Sequence, residues 1–399
     1  MPRGADSASP DARSVVIAGF STRAIVDSAI AAGYRAASVD AFADLDNAAI
    51  PALALRSPEP AIARYTPLGI ARAARSLQAE LAAYVASFEN HLDAVRILAR
   101  GRRLLGNPPR VLARARAPDL VAHALQSHGF AAPELRLRGT RDPGRTAWLA
   151  KPFASGGGHG ITRWRRGTSL RTTHFLQQRI AGIPASLVFA ANGRAAVPFA
   201  FSRQLIGEQE FGASGFQYCG SILVPSRTTT FANADTLFDT ACGIADTLTR
   251  DLHLVGVNGI DFIARDGTPF VTEVNPRYTA SMELAERAFE FSVFGAHVSG
   301  SAGHVPRFDL AAVRNDRAVD VIGKAIVFAK RTITVGDTRA WLEDSSVSDI
   351  PQPRERIRRG SPVCTIFARG ASEGTCHAAL VRRARKLYVE IGGSGRKSA

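Results

Sequence analysis

No stretch of this 399-residue sequence holds the roughly 18 consecutive apolar residues that cross a bilayer as a helix, although 46% of the chain is hydrophobic. A membrane partner is therefore not expected. Segment 1–13 is rich in Pro, Ser and Ala and lacks the apolar centre of a secretory signal; it reads as a frayed tail. Cysteine is scarce. Cys219, Cys242, Cys364 and Cys376 are scattered without metal-ligand spacing, which argues against a disulfide framework and for a reducing cytoplasm. Lysine is scarcer still in proportion: five residues among 50 basic ones. Acidic residues number 35, leaving a formal charge of +15. That excess is spread along the chain, denser only near 354–359 and 382–386. It forms no basic stripe interleaved with aromatics, so nucleic acid is not the expected partner. Neither G-x-G-x-x-G nor a Walker A motif is present, which removes the dinucleotide fingerprint and the P-loop.

The length is too great for one core, and two or three domains are expected. An apolar run at 14–19, an amphipathic stretch to Ala32, the stop Gly33-Tyr34 and a second run from Ala36 to Asp40 compose a β-α-β unit. This opens a parallel α/β layer. Asp40 and Asp44 fall just past the second strand, at the edge where open sheets bind ligands. In the first strand-to-helix turn, Ser21 or Thr22 serves as an N-cap, and Arg23 is a candidate for a substrate anion. A helix is expected over 67–81 behind Thr66, and a strand over 82–88 leading to Glu89-Asn90. After a boundary near Gly106-Asn107-Pro108-Pro109 come a helix (118–128), a strand (148–152) entering a glycine-rich loop, and strands at 175–180 and 185–190. A helix over 237–251 and a hairpin of 255–264 with 269–275 follow. A third region begins after about 310, with strand-like 325–335 and turns at 351–353 and 360–362. The expected division is a tail (1–13), an α/β domain (14–106), a central domain (107–310) and a C-terminal β-rich lobe (311–399).

The hairpin carries chemistry. Residues two apart in a strand share a face, so Glu273 and Asn275 point the same way. Asp261 joins them or not according to the turn. A two-residue Asp-Gly loop sets Asp261 opposite Thr272, on the wrong face. A three-residue loop, Arg265-Asp266-Gly267, sets it opposite Val271 and diagonal to Glu273. In that second register Asp261, Glu273 and Asn275 are hard oxygen ligands suited to Mg²⁺, and Arg277 beyond Pro276 adds a cation for phosphate. Lys151 ends a strand just before Ser155-Gly156-Gly157-Gly158-His159-Gly160. Such a loop admits phosphates to backbone N–H groups beside an ammonium. A lysine here, in a chain with so few, is not a product of general usage. His159 has no evident partner and reads as an exposed loop residue.

Lys-Pro before a glycine loop, and a hairpin bearing Asp and then Glu-x-Asn-Pro-Arg, behind a β-α-β domain, resemble the ATP-grasp superfamily over about 14–391. Within it the chain is similar to the predicted ATP-dependent carboligases related to biotin carboxylase and to carboxylate-amine ligases, with Gly-Ser-Pro-Val-Cys-Thr-Ile at 360–366 matching their C-terminal segment. The resemblance implies an α/β fold with a Rossmann-like N-terminal domain, and ATP with Mg²⁺, or Mn²⁺, as cofactors. It implies phosphate binding by Lys151, by the loop glycines Gly156, Gly157, Gly158 and Gly160, and by Arg116 (or Arg114). Asp261, Glu273 and Asn275 would ligate the metal, and Arg277 would meet the phosphoryl group or acyl phosphate. The segment Gln177-Gln178-Arg179-Ile180 corresponds to the one whose backbone reads adenine, with Gln178 standing where many relatives carry a ribose-binding Glu. The polar and aromatic segments 202–204 and 216–220, flanked by glycines, are candidates for the acceptor pocket through Gln204 and Tyr218, with the core as the alternative for Tyr218 and the expected place of Phe216. The implied activity is amide formation between a carboxylate and an amine or amino acid through an acyl phosphate, in a chain that either stands alone or forms a homodimer. Members of this kind also build one-carbon carrier cofactors of the tetrahydromethanopterin or methylofuran type. Carboxylation with bicarbonate and small-molecule phosphorylation are the alternatives on the same fold. A non-catalytic basic nucleic-acid binder is the alternative outside it.

Overall fold

The computed structural model describes residues 13–50, 52–54, 66–137, 147–289, 291–316 and 320–394; the tail expected over 1–13 lies almost wholly outside them. The first sheet is parallel, with strands β1 (Ser14–Ala18), β2 (Arg35–Asp40), β3 (Ala52–Ala54), β4 (Leu81–Tyr84) and β5 (Arg103–Leu104) in the order β3-β2-β1-β4-β5. Both faces of this sheet are covered, which is why its strands read as near-continuous apolar runs. Val15 and Ile17 pack toward the helix Arg23–Ala31 and the central sheet, while Val16 and Ala18 pack toward the helices Pro67–Ala73 and Leu92–Leu98.

Two local expectations fail here. The Thr66 hydroxyl does accept from Gly69 N at 3.0 Å, but the helix it starts stops at Ala73 and passes into a 3₁₀ turn over Ala74–Ser76. Leu81 is then claimed by β4, because pairing on both sides with β1 and β5 outweighs helical propensity. The strand expected to reach Phe88 ends at Tyr84, and Phe88–Asn90 is a 3₁₀ turn that carries Glu89 off the sheet's end.

A four-stranded sheet, β6 (Leu135–Arg136), β7 (Trp148–Pro152), β8 (Thr162–Arg163) and β9 (His174–Gln178), has the order β6-β9-β7-β8. The central sheet has eight strands. Five of them are β10 (Ile183–Asn192), β11 (Ala196–Ile206), β12 (Tyr218–Leu223), β13 (Val255–Arg265) and β14 (Thr268–Asn275). Then comes β15 (Val321–Phe328); β16 (Ile333–Thr334) pairs with β18 (Arg356–Ile357) as a separate ribbon, and β17 (Val347–Ser348) and β19 (Pro362–Gly370) complete the sheet. The order β14-β13-β10-β11-β12-β15-β19-β17 runs without a break across residue 310. The single strand expected over 325–335 is instead β15, a turn and β16. Leu187 and Phe189 of β10 bury one face of the sheet against the helix Ala234–Leu252, and Val188 and Ala190 bury the other against the N-terminal layer.

Candidate active site

The β13–β14 turn is a two-residue Asp266-Gly267 loop with φ of 53° and 78°, the doubly positive geometry of a type I′ hairpin. Arg265 pairs with Thr268, and the ladder continues through Phe262 opposite Val271. By parity alone this would send Asp261 to the wrong face. A β-bulge intervenes between Asp261 and Phe262, Thr272 is skipped, and Asp261 comes to lie directly opposite Glu273. The three-residue loop that the sequence reading required is therefore not what brings the carboxylates together; an extra residue inside the strand does it. The bulge also frees the Thr272 carbonyl, which accepts from Lys151 Nζ at 3.0 Å and Gln177 Nε2 at 3.3 Å.

Lys151 reaches that carbonyl from the end of β7, with a second bond of 3.1 Å to Gln177 Oε1. Burial pushes its ammonium pKa below the ordinary value, against the pull of Glu273. Arg116, at the end of the helix Pro109–Ala115, converges from the other side. It donates to Glu273 Oε1 at 2.6 Å, to the Val274 carbonyl at 2.9 Å, to Asn90 Oδ1 at 3.0 Å and to the Ser155 carbonyl at 3.0 Å. Arg114, the alternative basic ligand, turns outward to the Asp251 carbonyl. Burial would raise Glu273, but the Arg116 guanidinium and Lys151 ammonium more than offset it and hold this carboxyl low. Asp261 has no such cation in contact. Burial and the Glu273 charge push it up to about 7, against an Asn275 hydrogen bond of 2.8 Å. Gln204 donates to its other oxygen at 2.8 Å.

The donor set fits a hard divalent cation: two facing carboxylates and an amide on one surface, with an excess of buried negative charge at Asp261 that a cation would relieve. Asn275 turns its nitrogen to Asp261 and its oxygen to Arg277 Nη2 at 3.1 Å, so its expected place as an oxygen ligand requires the amide to turn. Among the described residues no group of three or more carboxylate, His or Cys side chains could hold an ion. The protein thus presents a half-shell of two carboxylates and an amide.

Arg277 is held from the N-terminal domain: its Nε donates to Glu89 Oε1 at 2.7 Å, and its Nη1 to the Tyr278 carbonyl. The glycine loop folds onto residues 216–218. Gly157 O accepts from Tyr218 N at 3.0 Å, and a Cβ on Gly158, whose φ is +80°, would lie 1.8 Å from the Phe216 carbonyl oxygen. Gly160, at φ +75°, packs over Pro152, and no neighbour crowds Gly156. Tyr218 OH meets Ser221 Oγ at 2.9 Å, and burial raises its pKa.

A cleft runs between the helices Pro109–Ala115 and Pro118–Ser127, β7, β9 and β14. Its walls include Val121, Leu125, Pro133, Phe153 and Phe175, and Arg116, Lys151 and Glu273 stand at its polar end. An apolar slot ending in cations suits a planar base carrying phosphates. Gln177 lines it, whereas Gln178, Arg179 and Ile180 do not. Gln178 instead pairs with the backbone of Glu134, Arg179 is exposed, and Ile180 is buried. Strand alternation from Lys151 across to Phe175, and from Phe175 to Gln177, would have singled out Gln177.

Arg23 is the clearest correction. Expected to meet a substrate anion, it is 1% exposed and saturated by protein carboxylates: Glu283 at 2.7 and 3.2 Å, and Asp349 at 2.9 Å. Lys324 Nζ and Arg287 join Glu283 at 2.6 and 3.2 Å. Burial alone would raise Glu283, yet these cations hold it well below the carboxylate range. Thr22 stands at the N-cap position but spends its hydroxyl on Asp40 at 2.6 Å instead of capping. Glu89, Asn90, Ser221, Glu283 and Lys324 had no place in the expected site. Only the Glu89-Asn90 pair after a strand end offered a signal.

Residues 120–281 match the family model of the ATP-grasp domain. A relative in Methanocaldococcus jannaschii, an uncharacterized protein, is 25% identical over 120 residues, which is 30% of this chain and 28% of that protein. Pyruvate carboxylase from Rhizobium etli superposes with a TM-score of 0.70 at 11% identity, over 96% of this chain and 39% of that one. L-amino acid ligase from Bacillus licheniformis superposes with a TM-score of 0.64 at 15% identity, over 94% and 97% of the two chains. The chain thus spans well under half the length of the first two proteins, and its fold is that of the ATP-grasp enzymes.

Proposed function

We propose that this ATP-grasp protein is an ATP-dependent ligase that joins a carboxylate to an amine through an acyl phosphate. The observation that carries the reading is the bulged hairpin, which sets Asp261 against Glu273 within reach of the same cations, Arg116 and Lys151, that close the nucleotide cleft. Asp261 and Glu273, with Asn275, would hold Mg²⁺ or Mn²⁺, which would supply positive charge to offset that of phosphate.

The chain's own residues do the rest by position and charge. Arg116 neutralises Glu273 and, seated by the Val274 and Ser155 carbonyls and by Asn90, keeps a guanidinium at the cleft's polar end to meet phosphate. Lys151 is anchored by the Thr272 carbonyl and keeps an ammonium at the cleft's polar end. Arg277, fixed by Glu89, faces the site where a carboxylate oxygen would take the phosphoryl group, and stabilises the charge that moves there. The sheet strands set Gln204 against Asp261 and Tyr218 nearby, and the glycine loop, docked on Tyr218 N through the Gly157 carbonyl, would exclude water from that side. Phosphoryl transfer asks little covalent work of the protein, and no side-chain nucleophile is needed.

The finer assignment we propose is a step in building a one-carbon carrier cofactor; its support is the sequence resemblance. The test is an ADP-release screen in which glutamate, succinate, benzoate and bicarbonate are each paired with ammonia, methylamine, glycine and glutamate, with mass detection of products. New amide with stoichiometric ADP is the expected result. Incorporation of labelled bicarbonate would make the enzyme a carboxylase, and a stable phosphoproduct would make it a kinase.

A further inference from the structure

Glu89 comes from the N-terminal domain, in the 3₁₀ turn after β4. The strand order β3-β2-β1-β4-β5 reverses its direction of growth between β1 and β4, and open parallel sheets bind ligands in the crevice at such a point. Across that crevice Phe20 N, just after β1, bonds to the Ala86 carbonyl, just after β4. Glu89 and Asn90 extend from there into the catalytic centre, to Arg277 and Arg116 respectively.

One oxygen of Glu89 has an evident purpose, since Oε1 orders Arg277. The other, Oε2, is buried and has no hydrogen-bond partner, on a residue 1% exposed. An unmatched carboxylate oxygen in such a place is costly unless something arrives to use it. Among the described residues no other carboxylate near the centre keeps a buried oxygen without a partner. Asp261 accepts from Gln204 and Asn275, Glu273 from Arg116, and Glu283 from Arg23 and Lys324. Asp44 and Glu373 also keep a buried unpartnered oxygen, but they sit away from the metal half-shell, Asp44 in the loop after β2 and Glu373 at the start of the C-terminal helix beside Thr228. Amide formation requires a group that receives the incoming nitrogen and its proton, and the centre otherwise presents cations and metal-binding carboxylates.

We propose that Glu89 Oε2 is the subsite for the amine substrate, an inference that rests on the ligase reading above. The amine enters as the free base and donates a hydrogen bond to Oε2. Its lone pair forms the C–N bond to the acyl carbon, the C–O bond to phosphate breaks with its electron pair leaving on phosphate, and the proton shed by nitrogen passes to Glu89. Arg277, on the other oxygen of the same carboxylate, faces the departing phosphate. One side chain from the N-terminal domain thus registers the nucleophile against the leaving group.

Glu89→Gln separates the two oxygens, because an amide oxygen can still accept from Arg277 Nε while its nitrogen cannot take a proton. The assay uses the carboxylates of the screen above, with hydroxylamine to trap acyl phosphate as hydroxamate and with glycine or methylamine to read amide. In the Gln variant amide formation is expected to fall at least about 10²-fold, while trapped hydroxamate falls less than about tenfold, in the range of a general-base contribution. Glu89→Ala, which also unseats Arg277, is expected to lose both. Amide and hydroxamate falling together in Glu89→Gln would show that the residue only props Arg277, and undiminished amide formation would show that the amine goes elsewhere; either overturns the proposal. If the wild-type protein yields no hydroxamate with any carboxylate, it is the ligase reading itself that fails. Matched thermal melts of the three proteins exclude misfolding as the cause of any loss.

Discussion

At the scale of single residues, the site is an exercise in charge matching under burial. Lys151 and Arg116 hold Glu273 low, and Asp261 is left with the unrelieved charge. Replacing Lys151 with Met should therefore cost about 10²–10³-fold in ATP turnover, the scale of losing one preorganised electrostatic contact. Glu273→Gln should do the same and should blunt the Mg²⁺ dependence as well; steady-state kinetics against ATP and Mg²⁺ read both. Arg23 belongs to a different class. Its removal strands Glu283 and Asp349 in the interior, so Arg23→Met should destabilise the protein by about 3–5 kcal/mol, the usual cost of breaking a buried pair from one side. Denaturant unfolding would measure it. An unchanged midpoint would mean that Lys324 and Arg287 suffice for Glu283.

At the scale of elements, the bulged hairpin and the glycine loop do the positioning. Much of both was legible beforehand. β7 ends at Pro152 as expected, and the helix and hairpin of 234–275 fall within a few residues of their periodicity. Asp266-Gly267 is a local hairpin signal, readable from any sequence. The bulge at Thr272 was not, because it is decided by long-range partners: the Lys151 ammonium and Gln177 amide that take up the freed carbonyl lie on other strands. Likewise the early end of the helix at Ala73 follows from sheet pairing of Leu81, which no local pattern announces. The loop yields its own test. Gly158→Ala cannot dock as the wild type does, since its Cβ would collide with the Phe216 backbone. ATP turnover should fall about 10²-fold, as expected for misplacement of the closing segment, while the melting temperature stays near that of the wild type.

At the scale of the whole molecule, polar contacts bind the N-terminal domain to the rest. Asp46 caps the N–H groups of Asp349 and Ile350 at 3.0 and 2.8 Å, Gln352 reaches Ala43, and Ser28 donates to Glu286 at 2.5 Å. Burial pushes Asp46 to about 6 and Glu286 to about 7, from ordinary values of 3.8 and 4.5. Between about pH 4 and 7 the folded chain thus binds more protons at these groups than the unfolded chain, so stability falls as pH rises through that window. Asp261 acts in the same direction. Glu283 and Asp349, both held low, act oppositely below it, and His297, which burial lowers to about 4, acts oppositely within it, one group against Asp46, Glu286 and Asp261. The melting temperature should be higher at pH 5.5 than at pH 8, and Glu286→Gln, which keeps the acceptor for Ser28 and Val293, should flatten the slope. A melting temperature that rises from pH 5.5 to 8 would contradict this assignment.

The sequence by itself determined the α/β opening, the lysine before the glycine loop and the acidic hairpin, because each is written in residues adjacent or two apart along one chain segment. Only the tertiary structure decided that Asp261 meets Glu273, that Gln177 and not Gln178 lines the cleft, that Arg23 is sealed among carboxylates, and that Glu89 reaches Arg277. Each of these depends on which distant segments share a buried volume. There desolvation makes an unmatched charge costly, so the fold pairs groups far apart in the chain that no local pattern could have matched.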